Sequence, residues 1–526
     1  MKKILLGITA IFSATFSMAQ VPEDALRMTW NVPSGTARQQ AIGGASGALG
    51  GDITSAFVNP AGMGVYKRGE FVISPGLSFI SSKGNFLGEN NKAGSSPKFH
   101  LGTTGVVWTS YDPYSKWANK TFSLAINRTA NFNGEIFYKG VNDYSSYSES
   151  MANEFYHYYV GQREAYPGKS DEDIINDALN SNLSLLTKMG LYTYLVDIVN
   201  DGTSSTVISR AEEAGILNQE QRIVTSGGIT EAAFSFAANN SDKFYLGGTI
   251  GLPIVNYSRK SYYAESDFHG TGNNEFSYSN YTEDFSSKGM GINAKLGIIA
   301  RPVNNLRLGL AVHTPTLYAL TDKFSATMET DIDAAPGSNK VFRVEASELL
   351  GGDNPEYKYD LTTPWKFILS GALVLNPSEN ISEQRGFVSA DIEYVSYKGS
   401  KFALPDADFS MEGFFDDLNA TVKQIYKPAV NVRLGGEMKF QTFMTRLGFA
   451  YYGNPYKDAE NLKARKMNIS GGVGYRHKGM FVDLTYVHPL NKDVHVPYRV
   501  DPPRENVLAN IKDSNGWAVL TVGFKF

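Results

Sequence analysis

Most of the chain after residue 70 alternates apolar and polar residues with a period of two. This period places alternate side chains on opposite faces of a β-strand. In the segment 431–440, one face holds Asn431, Arg433, Gly435, Glu437 and Lys439, and the other holds Val432, Leu434, Gly436, Met438 and Phe440. The same division recurs at 290–301, 305–313 and 388–394. The pattern predicts a protein made mainly of amphipathic strands.

The alternating segments predict about fourteen strands. They are 71–80, 99–109, 121–131, 223–237, 243–257, 288–301, 306–330, 357–375, 386–397, 429–440, 443–452, 467–476, 480–488 and 516–526. Strands of about ten residues or more are long for a soluble sheet, where roughly five or six are usual. An even number of strands of this length is typical of a membrane barrel.

The connections between the predicted strands alternate between short and long. The short ones are 240–242, 302–304, 441–442 and 477–479, and the long ones are 81–98, 140–221, 258–287, 331–356, 398–427, 454–466 and 489–513. A soluble sandwich would show the same residue alternation with its apolar face inward. Short periplasmic turns and long outer loops favour an outer-membrane barrel instead.

The end of the chain supports the same fold. The last predicted strand finishes on Phe526, and a terminal aromatic residue resembles the signal that the barrel-assembly machinery reads. We therefore predict an all-β fold, a transmembrane antiparallel β-barrel over 70–526 in the cell outer membrane. Its partners would be outer-membrane lipid and that machinery, and we expect a monomer.

Three segments do not alternate. Residues 1–19 have a basic start, an apolar stretch and the small residues Ser17 and Ala19, and this pattern predicts a cleaved signal peptide. Residues 20–69 contain a Gly- and Ala-rich run at 43–52, and we predict a plug, or hatch, inside the barrel. Residues 170–220 show helical spacing at 173–179, 183–199 and 210–217, and we predict a helical extracellular insertion. It either caps the barrel or is a solvated loop with no specific role.

Composition narrows the function. The 526 residues include no cysteine, 19% charged residues and 13% aromatic residues, with a net charge of −4. The charged fraction is below the roughly 25% that is usual for soluble domains. This charge gives no support for nucleic-acid binding, and the lack of cysteine excludes disulfides and thiolate metal sites.

Candidate enzyme chemistry is sparse. The glycine-rich run is not followed by the Gly-Lys-Ser/Thr of a phosphate loop, and no Gly-x-Ser-x-Gly nucleophile motif occurs. The seven histidines have no metal-ligand spacing. We predict no catalytic residue, no metal and no cofactor.

The polar faces of the strands supply candidate ligand-binding residues for the lumen. They are Lys295, Arg307, Arg433 and Lys439. A desolvated arginine can hold a carboxylate through two parallel hydrogen bonds. The alternative is that these cations pair with lumen carboxylates such as Asp391, Glu393, Glu437 and Asp483 and brace the wall.

The order of several motifs resembles the outer-membrane hydrocarbon and fatty-acid transporters of the FadL and TodX family, in their Bacteroidetes-type versions. The motifs lie at 43–52, 59–62, 291–297, 301–302, 306–310, 313–316, 363–365, 390–394, 431–437 and 453–456. The resemblance implies a fourteen-stranded barrel whose hatch carries Asn59, Pro60, Ala61 and Gly62. It also implies a hydrophobic ligand that binds in the lumen and leaves sideways at a kink in the third strand.

One stretch is a candidate for that lateral gate. Asn131, Phe132, Asn133 and Gly134 interrupt the alternation after 121–129, and glycine permits the backbone distortion of a bulge. The alternative is an ordinary loop start.

Three functions remain open on the sequence. The first is passive uptake of hydrophobic compounds, such as long-chain fatty acids or hydrocarbons. The second is a binding or scaffold barrel that serves protein secretion or surface attachment without transporting a solute. The third is a membrane-embedded hydrolase, which the missing nucleophile motif disfavours.

Overall fold

A computed structural model describes residues 21–526 apart from 95, 113, 201, 203, 271–274, 334–338, 377–384, 406–411, 458–464 and 514. The predicted signal peptide at 1–19 lies outside the described residues. The helices are α1 (Pro22–Thr29), α2 (Ala37–Ala41), α3 (Ser55–Val58), α4 (Glu149–Ala165), α5 (Asp171–Leu179), α6 (Leu185–Tyr192), α7 (Arg210–Glu213), α8 (Ala346–Leu349) and α9 (Glu412–Ile425).

Strands make up most of the remaining chain. The first are β1 (Glu70–Ile73), β2 (Pro75–Ile80), β3 (Ser82–Phe86), β4 (Glu89–Lys92), β5 (Ser96–Leu101), β6 (Thr104–Tyr111), β7 (Asn119–Asn131), β8 (Gly134–Asn142), β9 (Val196–Asn200), β10 (Ser205–Ser209), β11 (Leu217–Asn240), β12 (Phe244–Asp267), β13 (Tyr278–Val303) and β14 (Leu306–His313). The others are β15 (Leu317–Asp333), β16 (Asn339–Glu345), β17 (Glu356–Thr362), β18 (Lys366–Leu375), β19 (Gly386–Ser396), β20 (Lys401–Ala403), β21 (Pro428–Phe440), β22 (Phe443–Tyr452), β23 (Lys466–His477), β24 (Met480–Pro489), β25 (Lys492–His495), β26 (Ala509–Asp513) and β27 (Gly516–Lys525).

In the described part of the chain, these segments build fourteen antiparallel barrel strands. They are β1–β2, β5–β6, β7–β8, β11, β12, β13, β14–β15, β17–β18, β19, β21, β22, β23, β24 and β27, where a joined pair is one strand with a break. The last strand pairs with the first, with Phe524 opposite Phe71 and Ala518 opposite Leu77, so the sheet closes on itself. Closure pairs the first strand with the last, so neither of them is left as an unpaired edge in lipid. The predicted barrel and its strands are confirmed.

The two faces of the strands have opposite exposure. In β21 and β22 the apolar Leu434 and Leu447 are 45% and 74% exposed, whereas Arg433 and Glu437 are 3% and 1% exposed. Apolar residues that point outward from a closed barrel contact lipid, and the polar residues line the interior. The chain is therefore an outer-membrane barrel, not an inward-packed sandwich. Among the described residues, none of the helices has the length and apolar character needed to span a membrane.

Several strands are longer than predicted. β11, β12 and β13 have 24, 24 and 26 residues, so the connections predicted at 140–221 and 258–287 are shorter than expected. A membrane crossing takes about 9–11 residues of strand, so these three strands extend beyond the membrane. Their outer ends are polar and rich in tyrosine, and the alternation of apolar and polar residues is therefore weak there.

The extracellular insertion begins earlier than predicted. Helix α4 lies before residue 170, and residues 217–220 already belong to β11. The helix predicted at 183–199 is wrong at its end, because α6 stops at Tyr192 and the chain turns at Tyr194, whose φ is 58°. The β-branched residues that follow favour a strand, and β9 pairs with β10 as a hairpin. The insertion has a hydrophobic core that includes Phe155, Ile174 and Met189.

Residues 21–69 lie inside the barrel. Ala37 and Ala41 form hydrogen bonds with Thr485, Thr521 and Ser470 of the wall. At the outer end of the barrel, helix α1 packs against α9. Leu26 of α1 belongs to a hydrophobic core with Phe415, Leu418 and Val422 of α9. Helix α9 lies within the long connection predicted at 398–427, and the spacing of those three residues is helical. We call residues 21–69 the hatch from here on.

Candidate functional site

The Asn-Pro-Ala-Gly motif fixes the hatch against the barrel wall. Asn59 Nδ2 donates to the carbonyl oxygens of Gly47 and Ile298 at 2.6 and 3.2 Å. Asn59 Oδ1 accepts from Ala61 N at 3.2 Å and so caps the short 3₁₀ helix Pro60–Val65. Proline at the first position of that helix is favourable because it lacks an N–H and its φ is already helical. One side chain thus joins two parts of the hatch to β13.

Glycines on the wall let the hatch approach closely. A Cβ at Gly297 would overlap Asn59 Oδ1, and a Cβ at Gly247 would overlap the backbone of Pro60. Neither glycine is among the predicted site residues. The sequence feature that reveals such a position is a glycine on the inward face of a strand, because glycine allows another backbone to approach closely.

The glycine-rich run of the hatch is held by a buried carboxylate. The backbone N–H groups of Ser46 and Gly47 donate to Asp391 Oδ2 at 3.1 Å each. Asp391 is fully buried on β19. Gly43 has a φ of 64°, a conformation that favours glycine. His313 adds a contact, since its Nε2 donates to the carbonyl oxygen of Val58 at 2.9 Å.

Lys295 and Arg433, which belong to the predicted lumen cations, contact carboxylates of the wall. Lys295 contacts the carboxylate of Glu231 and also donates to Asn293 Oδ1 at 2.7 Å. Arg433 contacts the carboxylate of Glu393, which also accepts from Asn431 at 2.7 Å. All of these side chains are buried or nearly so. The contacts are those expected of charges that brace the wall.

The other two predicted lumen cations, Arg307 and Lys439, lie at the opposite end of the lumen. Arg307 and Lys439 are close to the short turns after β13 and β21, which mark the periplasmic end of the barrel. Arg307 Nη1 donates to the carbonyl oxygen of Leu49 in the hatch at 2.5 Å. The structure therefore brings Lys295 and Arg433 together and separates them from Arg307 and Lys439.

A cavity of about 130 Å³ lies between the hatch and the wall on the outer side. The hatch contributes Met28, Pro33 and Phe57, and the wall contributes Thr129, Ile229, Lys295, His313, Tyr318, Lys366, Glu393, Arg433, Tyr452 and Trp517. A cavity of roughly 150 Å³ can hold one benzene-sized molecule. The space mixes aromatic and aliphatic surface with a few polar groups, as is usual for small-molecule sites.

The wall of this cavity reaches the predicted gate. β7 ends at Asn131 and β8 begins at Gly134, and the pairing of β11 with this strand shifts register between Ile229 and Thr230. On its other side, β7 pairs with β6 only as far as Ile126. In the ladders that join the described residues, β8 pairs with β11 alone. The third barrel strand therefore separates from the second beyond the break.

Polar side chains bridge the break. Asn131 Nδ2 donates to Ser78 Oγ of the first barrel strand at 3.0 Å, and Asn133 donates to Asn131 Oδ1. Phe132 packs edge-on against Tyr257, with 5.4 Å between ring centroids. These contacts hold the interrupted strand against its neighbours. Among the described residues, no group of three His, Asp or Glu side chains is placed to hold a metal ion.

Solved structures share this architecture. A FadL homologue from Pseudomonas aeruginosa matches with a TM-score of 0.52 and 12% sequence identity, over 94% of this chain and 99% of that one. The chain has the FadL fold. The P. putida toluene transporter TodX matches with a TM-score of 0.50 and 14% identity, over 93% and 97% of the two chains. No protein-family model matches the sequence, and no curated protein matches it either. At this identity the FadL fold is what the likeness shows.

Proposed function

We propose that the protein carries hydrophobic compounds, such as hydrocarbons or long-chain fatty acids, passively across the outer membrane. The ligand enters the cavity above the hatch and leaves sideways through the wall at 131–134. The observation that carries the proposal is the position of the break, because Thr129 and Ile229 line the cavity within a few residues of it. Lateral release would bring an apolar ligand directly into lipid without crossing water.

The size and charge of the cavity favour small uncharged ligands. Its volume of about 130 Å³ suits a single aromatic ring. A long-chain fatty acid requires the hatch to move, and its carboxylate would compete with Glu231 for Lys295 or with Glu393 for Arg433. Lys295 and Arg433 thus serve as polar anchors only for a ligand that displaces those partners. The TodX homologue is a toluene transporter by name.

A scaffold function is the second candidate. The insertion shares a hydrophobic core with the outer ends of β12 and β15 and lies beyond the membrane, where a protein partner could bind it. In that case the break in the third strand would have no role in moving a solute.

A cross-link across the break tests lateral release. The chain has no cysteine, so Ser78→Cys together with Asn131→Cys introduces the sole thiol pair, at side chains that contact each other at 3.0 Å. We expect the oxidised protein to lose uptake of radiolabelled toluene into lipid vesicles, and reduction to restore it.

The matched control joins neighbouring strands away from the break. Thr109→Cys with Thr121→Cys connects β6 to β7, where the two hydroxyl oxygens are 3.3 Å apart. Oxidation of this pair should leave uptake unchanged. Equal uptake by the oxidised and reduced Ser78–Asn131 pair would contradict lateral release. Absence of saturable binding of toluene and of a long-chain fatty acid would favour the scaffold function.

A further inference from the structure

A second cavity lies beneath the hatch, at the periplasmic end of the barrel. Its volume is about 220 Å³. The hatch contributes Arg38, Leu49 and Tyr66, and the wall contributes residues next to the short turns, among them Arg307 and Arg476. No residue lines both this cavity and the one above the hatch. The two spaces are therefore separate sites.

Positive charge dominates the lining of this lower cavity. The cations are Arg38, Lys67, Arg68, Arg307, Lys439, Arg476 and Lys525, and the lining carboxylate is Glu437. A low-dielectric enclosure with walls of one sign focuses its field on ions of the opposite sign.

The carboxylates near the cavity already have partners. Buried Arg446 holds Glu437 and Asp483, each at 2.6 Å. Glu70 accepts from Tyr66 at 2.7 Å and lies 3.3 Å from Lys525 Nζ. Arg38 is 3.4 Å from Glu437, the carboxylate that it shares with Arg446. Lys67 pairs with Asp242 at 3.2 Å. The seven cations of the lining still outnumber these four carboxylates.

The excess of positive over negative charge is clearest at two arginines of the lining, Arg307 and Arg476. Within the described part of the chain, no carboxylate lies within ion-pair distance of either guanidinium, and the Nε of each is buried without a hydrogen-bond partner. Arg307 Nη1 donates a hydrogen bond to the Leu49 carbonyl oxygen. The guanidinium carbon of Arg476 lies over the Phe481 ring, 5.5 Å from the ring centroid. A guanidinium that lines a cavity and has no carboxylate partner can donate charge-assisted hydrogen bonds to an oxyanion.

We propose that this lower cavity binds a small oxyanion, a carboxylate or a phosphate, that enters from the periplasm. The planar guanidinium groups of Arg307 and Arg476 match the oxygen geometry of such anions, and Lys439 and Lys525 add positive charge. The volume of about 220 Å³ holds the anion and a few waters. Because Arg307 also holds Leu49, a bound anion links the hatch to the barrel wall.

The site can be tested on the full-length protein in detergent by isothermal titration calorimetry. The buffer contains a chloride salt, and its ionic strength is held constant. The two probes are sodium phosphate and sodium acetate. We expect saturable binding of at least one probe, weakened about tenfold or more by Arg307→Gln with Arg476→Gln. Phosphate binding alone would identify a phosphate site, and acetate binding alone would identify a carboxylate site.

The matched control replaces two exposed arginines of the outer extensions. Arg222 and Arg343 are 55% and 58% exposed, and Arg222→Gln with Arg343→Gln should leave the affinity unchanged. If neither probe binds saturably, or if the two double variants bind equally well, the proposal is overturned.

A measurement on the unaltered protein covers the case in which the arginine variant does not fold. Mass spectrometry can follow acylation of lysines with and without the anion. The anion should slow modification of Lys525 in the lower cavity but not of Lys260, which is 72% exposed on the outer part of β12. If the anion leaves the modification rates of both Lys525 and Lys260 unchanged, the proposed site is contradicted. Toluene uptake by the arginine variant is measured separately, so that a failure of transport is not confused with a failure of this site.

Discussion

Single residues on the inner faces of the strands determine how closely the hatch packs. Gly247 and Gly297 face Pro60 and Asn59, and Gly435 faces Ile42 in the same way. Each glycine lacks the Cβ atom that would hold the strand away from the hatch backbone. The hydrogen bond from Asn59 Nδ2 to the Ile298 carbonyl oxygen depends on that approach, because Ile298 follows Gly297 on β13.

A methyl group at Gly297 should loosen the hatch. We expect Gly297→Ala to lower the free energy of unfolding by about 1–3 kcal/mol, because the added Cβ overlaps Asn59 Oδ1 in a packed interior. Urea unfolding in detergent measures the change, and faster proteolysis of 43–62 would report release of the hatch.

Gly371→Ala is the matched control for that substitution. A Cβ at Gly371 on β18 meets no atom within 4 Å. Its effect should stay within about 0.5 kcal/mol. A loss of stability as large as that of Gly297→Ala would show that the hatch does not press on the wall.

Elements of the outer side are joined by a buried carboxylate. Glu265, near the outer end of β12, accepts from Tyr147 N at 2.9 Å, Gln219 Nε2 at 2.7 Å and Tyr263 OH at 2.9 Å. Ser146 Oγ donates to its other oxygen at 2.5 Å. Residues 146 and 147 begin the insertion, so this carboxylate fixes the insertion to the extended strands.

Removal of that carboxylate should release the insertion. Glu265→Ala removes the acceptor of the Tyr147 N–H and of the Tyr263 hydroxyl, and each unsatisfied buried group costs about 1–3 kcal/mol. We expect faster hydrogen exchange over 144–216, with the barrel strands still protected.

Lys260→Ala on the same strand is the control. Lys260 is 72% exposed, and its pair with Asp284 at 3.1 Å is a surface ion pair. Such pairs contribute about 0–1 kcal/mol, so exchange in the insertion should not change. Unchanged exchange in Glu265→Ala would show that the hydrophobic core alone holds the insertion.

At the scale of the whole molecule, the barrel separates two surroundings. Leu369, Leu434 and Leu447 are 60%, 45% and 74% exposed on the outside, and Asp391 is 0% exposed inside. Lipid replaces water around the outer band, so apolar side chains are stable there. The hatch fills much of the interior, with one cavity above it and another beneath it.

A charge on the lipid face should weaken the folded barrel. Leu447 lies at the centre of β22, and Leu447→Arg should cost about 2–4 kcal/mol in vesicles because a cation at the midplane loses its hydration. Reversible folding into lipid vesicles measures this cost. Leu508→Arg, at a residue 47% exposed in the connection before β26, should change stability by less than about 0.5 kcal/mol. Equal effects at the two sites would mean that β22 does not face lipid.

The order of residues along the chain predicts the barrel, its number of strands and which side chains point inward. The alternation at 431–440 is local, and it survives folding because a strand can bury only one of its faces. It also located the break at 131–134, because a loss of alternation is visible in the chain. It did not find β9 and β10, where apolar residues at 195–199 fit both a helix and a strand.

Tertiary structure decided which charges meet and where the hatch rests. Arg433 pairs with Glu393, whereas Arg307 contacts Leu49 of the hatch, although both are predicted as candidate ligand-binding residues of the lumen. The stagger of neighbouring strands and the path of the hatch set these distances, and no short stretch of sequence encodes either. The charged cavity beneath the hatch follows from the same cause, because its residues come from strands far apart in the chain.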